Sequence, residues 1–71
     1  MATITLVVIP GPGARTVTLA DGATVSDLVH QENLNGRDII INGSGVTRNT
    51  YADTIVPASA EVFATASVKG N

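Results

Sequence analysis

Seventy-one residues with a formal net charge of −2 make one domain at most. Cysteine is absent and histidine occurs once, which excludes disulfides, thiolate metal sites, a thiol nucleophile and a cluster of imidazole ligands. Four basic residues, Arg15, Arg37, Arg48 and Lys69, are scattered from end to end, so there is no basic stripe to neutralise phosphates and no nucleic-acid partner is expected.

Ile4-Thr5-Leu6-Val7-Val8-Ile9 is predicted as a strand by its length and β-branched content. It is too short to span a bilayer and lacks the basic start of a signal peptide, so no membrane partner is expected. Pro10-Gly11-Pro12-Gly13 stops it and turns the chain. The two prolines remove two backbone donors, so this glycine-rich stretch reads as a connecting loop rather than a phosphate cradle. Thr16-Val17-Thr18-Leu19 alternates with period two and places Val17 and Leu19 on one face. Asp21-Gly22 closes that strand.

The spacing predicts one helix, from Val25 to about Asn33. Thr24 and Asp27 form a capping box at its start, and Val25, Leu28 and Val29 recur on one face. Asn35-Gly36 is the expected helix stop. Asp38-Ile39-Ile40-Ile41 reads as a third strand closed by the tight-turn signal Asn42-Gly43, with Gly43-Ser44-Gly45 as a loose turn. Residues 47–57 are polar and irregular, with Tyr51 and Ile55 as expected anchors. Glu61 to Val68 is the closing strand, with Val62, Ala64, Ala66 and Val68 on one face and Phe63, Thr65 and Ser67 on the other. No repeat or linker interrupts the chain, so residues 1–71 are expected to fold as a single domain.

No catalytic constellation emerges. His30 lacks a nucleophile in any sequence context that would build a triad, and it reads as a solvated helix residue. The aspartates Asp21, Asp27, Asp38 and Asp53 sit beside turns, where aspartate commonly bonds local backbone. No enzyme activity, cofactor or metal is expected.

The order of these elements resembles the ubiquitin-like β-grasp fold, and in particular the ThiS/MoaD group of sulfur carriers. Gly22-Ala23-Thr24-Val25-Ser26-Asp27-Leu28 is similar to that group's helix-opening motif, and Ile39-Ile40-Ile41-Asn42-Gly43 to its strand ending in Asn-Gly. Tyr51-Ala52-Asp53-Thr54 and Ser59-Ala60-Glu61-Val62 resemble its approach to the final strand. The resemblance runs from about Val17 onward. It implies an α+β fold with a mixed four- to five-stranded sheet and one helix packed on one face.

Members of the carrier type end in Gly-Gly and are adenylated there by a partner enzyme, then converted to a thiocarboxylate. Lys69-Gly70-Asn71 occupies the place of that tail. Gly70 matches the first glycine. Asn71 stands where the second belongs, and its side chain is expected to clash in a channel that admits only residues without a β-carbon.

One helix covers one face of such a sheet, so the other face should alternate to polar residues. Thr16 and Thr18 obey, but Val7, Ile9, Ile40 and Phe63 do not. Val7 or Val8, Ile40 and Phe63 are expected together on the uncovered face unless residues 46–57 fold back over them. The related fold in ubiquitin uses this face for recognition. Two readings stay open. One is a non-enzymatic protein-binding or structural module that docks through Val7, Ile9, Ile40, Phe63 and Thr65 onto a protein partner or onto neighbouring subunits. The other is a carrier activated at its tail by an adenylating enzyme. The expected location is the cytoplasm or a larger particle such as a virion.

Overall fold

Alternating burial along each strand divides this chain into a sealed face and an open one. The computed structural model describes residues 1–11 and 13–66. Within them lie strands β1 (Ala2–Ile9), β2 (Gly13–Leu19), β3 (Arg37–Ile41), β4 (Ser44–Val46) and β5 (Glu61–Ala66). Helix α1 (Val25–Glu32) joins β2 to β3, and a 3-10 turn covers Arg48–Thr50. The strands form one mixed sheet in the order β2-β1-β5-β3-β4. β1 and β5 are parallel, and the other three pairs are antiparallel. The architecture is α+β, as expected.

Every second strand residue turns toward α1. Ile4, Leu6 and Val8 of β1, Val17 and Leu19 of β2, Ile39 and Ile41 of β3, and Val62 and Ala64 of β5 are all buried. Val25, Leu28 and Val29 of α1 meet them, which is the face that the helical spacing selects. The buried residues among those described are all apolar. Each fully buried Leu or Ile contributes about 1.5–3 kcal/mol relative to exposure, so the aliphatics alone hold the layers together.

The start of α1 leaves none of its orphan amides bare. Thr24 N donates to Asp27 Oδ2 at 2.9 Å, and Asp27 N donates to Thr24 Oγ1 at 3.2 Å. Val25 N donates to Thr54 O at 2.8 Å, and Ser26 N to Tyr51 O at 3.1 Å. All four donors that a helix start leaves unpaired are thereby satisfied. The last two of those bonds also fix the course of residues 47–57. Val56 N donates to Ala23 O at 2.9 Å, Val56 is buried, and Tyr51 packs against the core beside Val46. This segment closes the edge of the helix-side core; its backbone bonds at Tyr51, Thr54 and Val56 run to the start of α1, while Arg48 reaches Asp38 at the border of the open face.

Three sequence expectations need correction here, and one open alternative is decided. Helix α1 ends at Asn33, as its spacing predicts, but the stop is Asn33 itself, in the left-handed conformation with φ 57°, rather than Asn35-Gly36. Ser44–Val46 is a strand, because Asn42 and Gly43 both adopt positive φ, 49° and 86°, and turn the chain straight back onto β3. Ile55 is 60% exposed and anchors nothing; its neighbour Val56 takes that place. Between Val7 and Val8, the structure puts Val8 on the sealed face and Val7 on the open one.

Candidate binding surface on the open sheet face

Strand register decides which open-face side chains become neighbours. Val7 of β1 lies opposite Ala14 of β2 on one side and Phe63 of β5 on the other. Phe63 lies opposite Ile40 of β3, and Ile40 opposite Gly45 of β4. One transverse row therefore crosses all five strands: Ala14, Val7, Phe63, Ile40, Gly45. Its three central members are half-buried. Directly opposed residues of an antiparallel pair sit about 4.5–5.5 Å apart at Cβ, so Phe63 and Ile40 are lateral neighbours, and the parallel register sets Val7 beside Phe63.

The shape of the row follows from its ends. Ala14 is small and Gly45 has no side chain, whereas the middle carries Val, Phe and Ile. A Cβ added at Gly45 would meet no heavy atom within 4 Å. The row is thus a low ridge with steps at both flanks.

Threonines and acids border it. On one side lie Thr16, Thr5 and Glu61, aligned by register. On the other lie Ile9, Thr65 and Asp38. Ile9 is 48% exposed and extends the apolar surface by one residue beyond Val7. Asp38 pairs with Arg48 across 3.3 Å, and both side chains are about half exposed. Arg37 Nη1 donates to Ile9 O at 3.2 Å, reaching across the end of β5 to hold the end of β1. The five residues singled out from sequence, Val7, Ile9, Ile40, Phe63 and Thr65, thus come together on one face. Ala14 and Gly45, which shape the flanks, were missed. A glycine in a strand was the available signal, obscured by its reading as a turn. Lys69, Gly70 and Asn71, on which the carrier alternative rests, lie outside the described residues.

A concavity of about 330 Å³ lies between α1 and the 3-10 turn, lined among others by Val29, His30, Leu34, Arg48 and Tyr51. Tyr51 OH donates to Arg37 O at 3.4 Å across its floor. The cations near it are engaged, Arg37 with Ile9 O and Arg48 with Asp38. His30 is exposed on α1. Among the described residues, no three His, Cys, Asp or Glu side chains converge as a metal site would require. No helix among them is long and apolar enough to cross a membrane.

No known protein family matches the chain, and neither does any curated protein.

Proposed function

We propose that this chain is a ubiquitin-like β-grasp module without catalysis of its own, and that it docks onto a protein surface through its open sheet face. The fold assignment is supported by the strand order β2-β1-β5-β3-β4 with a parallel central pair and a single helix over one face. The functional reading is carried by one observation, the unbroken apolar row Val7, Phe63, Ile40 on the uncovered side of the sheet. A half-polar sheet needs only threonines there, as β2 demonstrates with Thr16 and Thr18.

An apolar patch of a few hundred Å² is the scale at which exposure marks an interaction site. At about 25 cal/mol per Å², covering such a ridge releases several kcal/mol before association costs. A ridge with stepped flanks fits a concave apolar groove, with Thr5, Thr65 and Glu61 meeting its polar rim. The partner is either a separate protein or the neighbouring subunits of a larger particle.

The test separates binding from folding. A photo-reactive side chain at Ile9 or Thr65 should cross-link the same partner protein, and one at the helix-face position Asp27 should not. Gly45→Thr then raises a wall beside Ile40 while suiting a strand. It should leave thermal stability within about 1 kcal/mol of the parent, because nothing occupies that space. It should nevertheless abolish the cross-link. A cross-link that survives Gly45→Thr, or that arises only from the helix face, would refute the reading.

A further inference from the structure

We propose that Asn35 is the site of a spontaneous chemical modification of this protein, deamidation through Gly36, and that the fold spares the second Asn-Gly pair at Asn42. In this reaction the Gly36 backbone nitrogen attacks Asn35 Cγ. A C–N bond forms, the Cγ–Nδ2 bond breaks, and ammonia leaves with the proton released from the Gly36 amide. Water then opens the resulting cyclic imide. Cleavage of its bond to Cγ gives aspartate; cleavage of its bond to the main-chain carbonyl carbon gives isoaspartate. No electrons are exchanged, and solvent water is the only co-reactant.

The chain contains two pairs able to react quickly, Asn35-Gly36 and Asn42-Gly43. Glycine leaves the attacking nitrogen unscreened because it has no β-carbon. Asn33 and Asn49 are followed by Leu34 and Thr50, whose side chains crowd that nitrogen. From sequence alone the two Asn-Gly pairs are equivalent. Both asparagines are exposed, both glycines take positive φ, and open space surrounds both glycines.

Hydrogen bonding separates them. Asn42 is clasped twice to the start of β5: its Oδ1 accepts from Glu61 N at 2.9 Å, and its own N donates to Glu61 O at 2.8 Å. Attack by the Gly43 nitrogen requires the Asn42 carboxamide to swing away from Glu61. The β3–β4 hairpin resists this, because Glu61 opens a strand that pairs with both β1 and β3. The Asn35 side chain has no hydrogen-bond partner among the described residues. It sits in a turn closed by one bond, Arg37 N to Leu34 O at 3.2 Å, so its carboxamide rotates freely.

The product matters for the molecule. Asn35 lines the concavity between α1 and the 3-10 turn, together with Arg37 and Arg48. Conversion adds one negative charge to a net of −2. The isoaspartate form also lengthens the main chain inside the Leu34–Arg37 turn. The inference does not depend on the docking role of the open face, since Asn35 lines the concavity beside α1 and is not part of the apolar row.

Peptide mapping by mass spectrometry of the full chain, aged in mildly alkaline buffer at body temperature, tests it. A parallel sample is aged in enough urea to unfold it. In the folded protein Asn35 should convert about tenfold faster than Asn42, since the bond from Glu61 N to Asn42 Oδ1 must open before Asn42 can react. In urea the two rates should converge to within about twofold, because the clasp is gone. Asn35→Ser should remove the acidic species that accumulates on ion exchange. Equal or faster conversion of Asn42 in the folded chain overturns the proposal, and so does a gap between the sites that persists unchanged in urea.

Discussion

Replacing Phe63 by threonine should lower stability only modestly, and the structure gives the size of the effect. Phe63 is half-buried on the open face, flanked by Val7 and Ile40 in the two adjoining strands. Cross-strand pairs of this kind contribute about 0.2–1 kcal/mol each, so losing two costs roughly 0.5–2 kcal/mol. Threonine keeps the β-branched character that suits a strand and introduces no unsatisfied buried group. Leu28→Ala is the comparison. Leu28 is 0% exposed in the core, and truncating such a residue costs about 2–5 kcal/mol. In a domain of this size each kcal/mol moves the midpoint by about 4–8 °C. Urea unfolding followed by circular dichroism, with the half-buried Tyr51 as a fluorescent probe, measures both variants. Losses of comparable size for Phe63→Thr and Leu28→Ala would make Phe63 a core residue and remove the basis for an open apolar face.

Three further outcomes are expected. Thr24→Ala should destabilise by about 1 kcal/mol by removing the acceptor for Asp27 N, whereas Thr24→Ser should be nearly neutral; thermal melts distinguish them. Gly11→Ala should cost roughly 1–3 kcal/mol in the same melts, because its Cβ would lie 2.7 Å from Val8 Cγ1 and 3.1 Å from Val8 O and would push into the core beneath β1. Incubation with ATP and a sulfur-carrier-activating enzyme separates the two readings: an unchanged intact mass is expected of a docking module, and an adenylate or a gained sulfur would instead establish the carrier reading.

Local chemistry made some elements legible and left others dark. The first strand was visible from Ile4 to Ile9 through its β-branched run, yet it begins at Ala2 because Ala2 finds Leu19 across the ladder. The helix start was fixed by Thr24 and Asp27, whose reciprocal bonds form as their spacing requires. Its end near Asn33 was legible too, but not the residue that stops it, because Asn33, Asn35 and Gly36 can all do so and only packing selects among them. β4 was hidden because Ser44-Gly45-Val46 has little strand propensity; pairing with β3 and the packing of Val46 override that weakness. Between Tyr51 and Pro57 there is no periodicity to say which side chain turns inward, so Ile55 and Val56 exchanged roles.

The candidate surface was partly readable for the same reasons. Alternation within β1 and β5 put Val7, Ile9, Phe63 and Thr65 on one side without any knowledge of the sheet. Their union with Ile40 into one row depends on register between strands distant in sequence, and sequence patterning does not specify that. The tie between residues 47–57 and the first turn of α1 is likewise a tertiary fact.

The most direct measurement is a chemical-shift map of the isotopically labelled chain on addition of the protein that cross-links at Ile9. Resonances of Val7, Ile40, Phe63 and Thr65 should move together, while those of Asp27, His30 and Gln31 on the exposed side of α1 stay in place. Shifts confined to α1, with the Phe63 ring unperturbed, would contradict docking through the sheet.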